Sequence, residues 1–178
     1  MNDFKIIFSG PAGAGKTTAI GSISDIAPVT TDEMASDISR SQNPATTVAM
    51  DYGMLKLGEK ERIHLYGTPG QERLDFMWEI FTQGGTGLVL LLNNNRPDPF
   101  GDLQFFFNSF KTFIDGTKLV IGVTQMDLAR TPTIDDYHLQ LESSGSKIPI
   151  FEVDAREKRD VSLLVESLLY SIDPGLDS

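Results

Sequence analysis

Residues Gly10–Thr17 have the side-chain types and the spacing of a phosphate-binding loop. Their sequence, Gly-Pro-Ala-Gly-Ala-Gly-Lys-Thr, matches the pattern GxxxxGK[ST] without a gap. In this pattern glycines let successive backbone N–H groups surround a phosphate, the lysine reaches the β- and γ-phosphates, and the following hydroxyl ligates Mg²⁺. We therefore predict that Lys16 binds phosphate and that Thr17 holds the metal. The other nucleotide contacts predicted in this loop are Gly13, Ala14, Gly15 and Thr18.

Such a loop needs a strand before it and a helix after it. Phe4–Ser9 is a short apolar run that predicts a buried strand. The residues from Thr17 to Ile20 can open a helix, whose N-terminus adds a favourable dipole for an anion. The alternative is a glycine-rich turn that binds nothing, but such a turn has no need of a lysine at position 16.

Composition excludes several classes of function. The 178 residues are expected to form one domain, spanning 1–178. Acidic residues outnumber basic ones by 25 to 15, which argues against nucleic acid as a partner, because such binding depends on Lys and Arg displacing counterions. Without cysteine there is no disulfide framework, thiol nucleophile or Cys-based metal site. His64 and His138 have no companion ligands, so we interpret both as structural.

The sequence also predicts that no segment holds the chain in a membrane. No apolar run approaches the ~20 residues needed to span a bilayer. The first predicted strand begins at Phe4, which leaves no room for a signal peptide. Position 2 is Asn rather than the Gly required for myristoylation, and no cysteine is available for prenylation. We expect a cytoplasmic protein without an intrinsic membrane anchor.

Strand-like and helix-like runs alternate along the chain. Helical spacing gives two apolar stripes, one at residues 106, 110 and 113 and one at residues 161, 164 and 168. The segment Gly58–Glu61 is too short for a crossover helix, so the strands on either side of it should form an antiparallel hairpin. The predicted strands are Phe4–Ser9, Thr47–Leu57, Arg62–Tyr66, Leu88–Asn93, Leu119–Thr124 and Ile148–Val153.

These elements predict an α/β fold of the phosphate-loop NTPase class. The sheet should be mostly parallel and six-stranded, with one antiparallel edge strand and helices on both faces. In such sheets ligands bind beyond the carboxyl ends of the strands. The loop Gly10–Thr17 lies at such an end.

Four further segments with chemistry-bearing residues stand where predicted strands begin or end. They are Pro44–Gly53, which enters the second strand, Gly67–Arg73 after the third, Thr124–Asp127 after the fifth and Asp154–Arg156 after the sixth. In this order they resemble the Ras-like small GTPases. Those proteins carry the motif DxxGQE after the third strand, [NT]KxD after the fifth and SAK after the sixth. Gly70–Asn95 can be laid on Rab-type members without a gap. The resemblance covers nearly the whole chain.

The resemblance implies a role for individual residues. Asp127 would accept hydrogen bonds from the N1–H and the exocyclic amine of guanine, and the N–H of Ala155 would donate to O6. Thr47 would complete the Mg²⁺ shell in the triphosphate state. The N–H of Gly70 would face the γ-phosphate, and Gln71 would orient the attacking water as the catalytic residue.

Several of these residues have a second interpretation. Asp127 could cap a helix N-terminus, Thr47 could be an ordinary strand-edge threonine, and Gln71 could be a solvated loop residue. Asp154 and Arg156 could each contact the base or could simply be charged surface residues.

The sequence departs from the family pattern at two positions. Gly67 stands where Ras-like proteins carry an Asp that supports Mg²⁺, and glycine has no ligand atom. This feature resembles the prokaryotic MglA-type branch. Gln125 replaces the Lys that braces the phosphate loop and stacks over the guanine; its amide can still hydrogen-bond, but it brings no charge. Arg40 could act as an arginine finger or be an exposed arginine.

The resemblance implies a molecular switch that binds GTP and GDP with Mg²⁺ and hydrolyses GTP slowly. It also implies a GTPase-activating partner of roadblock type, docking at the second switch that Trp78 follows, and an effector at the switch regions. One alternative is a nucleotide-dependent scaffold that does not hydrolyse GTP, favoured by Gly67 and Gln125. Another is an ATP-binding phosphate-loop protein such as a kinase.

Overall fold

A single six-stranded sheet forms the centre of the molecule. The computed structural model describes residues 3–29, 51–68, 82–145 and 147–175. Its strands are β1 (Asp3–Ser9), β2 (Asp51–Leu57), β3 (Glu61–Gly67), β4 (Gly87–Asn93), β5 (Leu119–Thr124) and β6 (Ile150–Glu152). They lie in the order β2-β3-β1-β4-β5-β6. The β2–β3 pair is antiparallel and the other neighbours are parallel, which confirms the predicted sheet with its antiparallel edge strand.

In the described part of the chain, helices follow β1, β4, β5 and β6. Two of them begin with side-chain caps of the kind their sequences favour: Asp98 accepts a bond of 3.0 Å from the N–H of Gly101, and Thr133 forms a capping box with Asp136. The described helices are α1 (Lys16–Ile23), α2 (Pro99–Ser109), α3 (Lys111–Gly116), α4 (Ile134–Leu141) and α5 (Lys158–Ile172). Among the described residues no helix combines the length and apolar content needed to cross a membrane.

Hydrophobic side chains bury both faces of the sheet. On one face α1 and α5 cover β1, β3 and β4, and the predicted stripe at residues 161, 164 and 168 is at most 1% exposed. On the other face α2 and α4 pack over β4 and β5. The stripe at residues 106, 110 and 113 faces this second core, but Phe110 lies at the junction where α2 ends and α3 begins. Burial on both faces fixes the strand ends that carry the site.

The strand register brings the predicted motifs to one edge of the sheet. Gly67 at the end of β3 lies opposite Phe8 of β1, and Asn93 at the end of β4 lies opposite Thr124 at the end of β5. The loop after β1 therefore shares this edge with Thr68, the last described residue after β3, and with the segments that follow β4, β5 and β6.

Candidate functional site

The loop between β1 and α1 follows a path that only glycine fits at two positions. Gly10 has φ 145°, and a Cβ there would lie 2.0 Å from the carbonyl oxygen of Leu91. Gly15 has φ 98°, and its Cβ would lie 2.8 Å from the Cβ of Ala155. L-residues rarely adopt such φ values. The loop is thus pressed against β4 on one side and the segment after β6 on the other.

Neighbouring side chains hold the carbonyl groups of this loop. The hydroxyl of Thr124 donates to the carbonyl of Ala14 at 2.9 Å. The amides of Gln125 and Asn93 donate to the carbonyl of Gly13 at 2.9 and 3.2 Å. Gln125 therefore hydrogen-bonds the loop through its amide, and it does so with a positive φ of 59°.

The loop's N–H groups remain available for a ligand. Within the described part of the chain, the N–H groups of Gly13 and Gly15 donate to no protein acceptor. Oriented backbone N–H groups followed by a helix N-terminus form an anion-binding concavity. The arrangement can bind phosphate without rearranging the backbone that surrounds it.

Lys16 is buried against the same loop. Its residue surface is 8% exposed, and its ammonium donates to the carbonyls of Gly10 and Pro11, at 3.0 Å for the latter. Burial lowers the pKa of Lys16 to about 8; the Asp51 carboxylate opposes this and the Arg96 guanidinium adds to it. The positive charge of Lys16 is consequently present at neutral pH and is lost just above it.

Nucleotide binding is therefore expected to weaken as the pH rises above about 8. Lys16 must carry its proton to attract phosphate, so each further pH unit should lower the affinity by up to about tenfold. The fluorescent analogue mant-GDP, titrated between about pH 6.5 and 9.5, measures this. Lys16→Arg, whose charge persists throughout, should flatten the profile. A wild-type affinity unchanged to the top of that range would contradict the expectation.

The same pKa has the opposite consequence for the stability of the nucleotide-free protein. Because the folded-state pKa of Lys16 lies below its ordinary value of 10.5, the folded chain binds fewer protons than the unfolded chain above about pH 8. The cost of burying the charge is present below that pH. It is relieved as the pH rises from about 8 towards 10.5, so this group raises the unfolding free energy across that window.

A carboxylate that the sequence analysis did not assign lies beside Thr17. Asp51, the first residue of β2, accepts a hydrogen bond from the Thr17 hydroxyl. The β2–β3 register places Asp51 directly opposite Gly67. A Cβ on Gly67 would lie 3.2 Å from the Cβ of Asp51 and 3.3 Å from its Oδ2. The carboxylate thus occupies the space that a side chain at position 67 would enter.

The donor set at this point suits Mg²⁺. A hydroxyl and a carboxylate are hard oxygen donors, and Mg²⁺ typically binds few protein ligands and keeps several waters. Thr17 and Asp51 would hold or orient the metal and its waters at the phosphate end of the site. The predicted hairpin carried the signal for Asp51, because counting outward across its turn pairs residue 57 with 61 and residue 51 with 67.

The predicted base-contacting residues gather at the other end of the loop. An open pocket of about 810 Å³ has in its lining Gly13, Gly15, Thr18, Gln125, Asp127 and Arg156. This volume is within the range of small-ligand sites. Ala14, Asp154 and Ala155 belong to the same lining. The structure therefore brings Gly13–Gly15 and Thr18 into one cleft with the candidate residues that follow β5 and β6, whereas Lys16 and Thr17 do not belong to its lining.

Within that cleft Asp154 and Arg156 neutralise each other. The guanidinium donates to the carboxylate at 2.7 and 3.0 Å, and the Arg156 N–H donates to it at 3.0 Å. These hydrogen bonds lower the pKa of Asp154 to about 2. Among the described residues the carboxylate of Asp127 has no such donor. The alternative role of Asp127 as a helix cap is wrong, because α4 begins at Ile134 and Thr133 caps it.

Several predicted residues lie outside the described part of the chain. Their roles stay predictions. They are Thr47, Gly70 and Gln71 of the proposed site, Arg40 and Trp78.

A comparison with known proteins finds one protein family whose model matches most of this chain. A family model described as "Conserved hypothetical ATP binding protein" matches residues 27–169. The matched range includes the segments after β5 and β6 that line the cleft. It does not include the loop Gly10–Thr17.

Individual relatives extend over most of the chain. The chain is 22% identical to the Ras-related protein RabC of Dictyostelium discoideum over 96% of this chain and 84% of that protein. It is 24% identical to the Ras-related protein Rab-18-B of Danio rerio over 99% and 83% of the two chains. An uncharacterized protein of Methanocaldococcus jannaschii is 30% identical over 53% of this chain, and the match spans about half of that relative, 54% of its length.

Proposed function

This chain belongs to the family described as "Conserved hypothetical ATP binding protein" and is related to Ras-like proteins, and we propose that it is a guanine-nucleotide switch. It would bind GTP and GDP with Mg²⁺ and hydrolyse GTP slowly. The observation that carries this proposal is that Gly13, Gly15 and Thr18 line one cleft together with Asp127. A carboxylate that accepts no hydrogen bond from the described residues suits guanine, which offers two N–H donors, on N1 and the exocyclic amine. Adenine has no N1–H and leaves that carboxylate unsatisfied.

The chain's own residues divide the work of the proposed site. Lys16 attracts the phosphates, and the N–H groups of the loop surround them. Thr17, Thr47 and Asp51 hold the metal and its waters. Mg²⁺, when bound, supplies positive charge to the phosphates. Gln71 positions the attacking water as the catalytic residue.

Other parts of the proposal depend on the Ras-like resemblance. Gly70 would sense the γ-phosphate, and the segment after it would dock a GTPase-activating partner and an effector. The glycine at position 67 is the feature that favours placement near the MglA-type branch, and with it a partner of roadblock type. A cytoplasmic location belongs to the same proposal.

A scaffold that binds nucleotide without hydrolysing it is the first alternative. Gly67 and Gln125 favour it, but Asp51 offsets the first departure and the amide of Gln125 offsets part of the second. Single-turnover hydrolysis with and without a partner distinguishes the two. Slow intrinsic turnover, on the order of the 10⁻⁴ s⁻¹ known for Ras, that a partner accelerates supports the switch. A hydrolysis rate that equals the rate of GTP hydrolysis in water without protein, even when the partner is present, supports the scaffold.

An ATP-binding protein is the second alternative, favoured by the description of the family model. We expect protein purified without added nucleotide to retain guanine nucleotide, because Asp127 discriminates against adenine. Denaturing the protein and separating the released nucleotides by ion-pair chromatography identifies the base. Adenine nucleotide at near-stoichiometric amounts would overturn the proposed function.

A further inference from the structure

Arg96 brings a positive charge close to Ala12 of the phosphate loop. It follows β4 in a turn in which its N–H donates to the carbonyl of Asn93 at 3.3 Å. Its Nη1 lies 3.5 Å from the carbonyl oxygen of Ala12. At this distance the attraction is mainly that of a cation for a carbonyl dipole rather than a short hydrogen bond. Ala12 thus has a cationic partner where its loop neighbours have ammonium or amide donors.

A carboxylate on the adjacent helix fixes the direction of this guanidinium. Arg96 Nε donates to Asp102 Oδ2 at 2.6 Å, and Nη2 lies 3.4 Å from Oδ1. The Asp102 side chain is 17% exposed and stands in the first turn of α2, whose own cap is Asp98. Because the guanidinium is rigid and planar, binding one edge to a carboxylate sets where the remaining Nη1 points. Here it points to the phosphate loop.

The charge of Arg96 also reaches the phosphate-binding lysine. Its field contributes to the lowered pKa of Lys16, because the two cations repel each other. A polyphosphate bound against Lys16 would experience the same field as attraction. The Arg96–Asp102 pair is only partly exposed, so solvent screens this attraction less than at a free surface.

We propose that Arg96 is a positioning residue that braces the phosphate loop, supplying from the end of β4 the positive charge that Gln125 does not. Gln125 after β5 hydrogen-bonds the carbonyl of Gly13 through a neutral amide. The positive charge comes from Arg96, which contacts the loop one residue earlier, at Ala12. Asp102 holds the brace in place. This inference rests on the proposed nucleotide-binding function, and the ligand it concerns is the phosphate chain rather than the base.

Dissociation of mant-GDP and mant-GTP tests the brace. Arg96→Gln should release both nucleotides about tenfold faster, the size expected when one charge-assisted contact is lost. Arg96→Lys keeps the charge without the fork and should recover part of that loss. Asp102→Asn frees the guanidinium without removing its charge, so its effect should be smaller than that of Arg96→Gln. The matched control is Arg62→Gln, which removes an exposed arginine at the start of β3, far from the carboxyl edge.

The outcomes separate the possible failures. Equal dissociation rates for Arg96→Gln and Arg62→Gln would overturn the brace. The brace would also be overturned if Arg96 and Asp102 formed an ion pair with a purely structural role. Arg96→Gln and Asp102→Asn would then raise the dissociation rates equally, and Arg96→Lys would release nucleotide as fast as Arg96→Gln. If the wild-type chain binds mant-ADP and not mant-GDP, the proposed function fails alone. The same variants compared with mant-ADP would then support or overturn the brace.

Discussion

Asp127→Asn is expected to lower the affinity for GDP by about a thousandfold while raising that for xanthosine diphosphate. The carboxylate offers two acceptors to the two N–H groups of guanine. An asparagine amide offers one acceptor and one donor group, which leaves the exocyclic amine facing another donor. Xanthine has a carbonyl oxygen in place of that amine, so the amide can pair with it. Competition of both diphosphates against mant-GDP measures the exchange.

The control for this substitution is Asp135→Asn. Asp135 is an exposed carboxylate in the first turn of α4, and its loss changes the net charge equally. It should leave both affinities unchanged. If Asp127→Asn leaves the GDP affinity at the wild-type value, Asp127 does not read the base. Because the matching family is described as ATP-binding, the GDP affinity of Asp127→Asn is informative whether it falls or stays unchanged.

The fold and the phosphate end of the site follow from local sequence patterns. The loop Gly10–Thr17 is one contiguous segment, and the apolar runs on either side predict its strand and helix directly. The antiparallel edge followed from the four-residue segment Gly58–Glu61, which is too short for a crossover. In each case the information lies within a few neighbouring residues, which is why the sequence was sufficient.

The missed residues depend on contacts between distant segments. Asp51 acts on Thr17, 34 positions away, and becomes meaningful only once it faces Gly67 across the hairpin. Arg96 is 84 positions from Ala12 and needs Asp102 to direct it. Arg96 belongs to none of the four motif segments. Asp51 lies within Pro44–Gly53, but only the pairing of β2 with β3 distinguishes it from the other residues of that segment. The break between α2 and α3 at Phe110 was hidden because the apolar stripe continues through it.

Asp51→Ala is expected to weaken the apparent Mg²⁺ affinity of the GDP complex by about 10- to 100-fold, the range for loss of a residue that orients a metal's ligands. The substitution removes the carboxylate that accepts the hydrogen bond of the Thr17 hydroxyl. The measurement is the rate of mant-GDP release as Mg²⁺ is titrated against a chelator. Glu59→Gln, an exposed residue in the turn at the other end of the same hairpin, is the control and should behave as wild type.

Moving the carboxylate across the hairpin separates metal support from a general loss of structure. Gly67→Asp alone should be unfavourable, because its Cβ would lie 3.2 Å from the Cβ of Asp51 and 3.0 Å from Ile20. Asp51→Gly removes the first of these contacts and empties the space that the carboxylate occupied. The double variant should therefore regain most of the Mg²⁺ dependence that Asp51→Gly loses, since the two positions face each other. A double variant no better than Asp51→Gly would mean that the carboxylate of Asp51 supports the fold around Thr17 and not the metal.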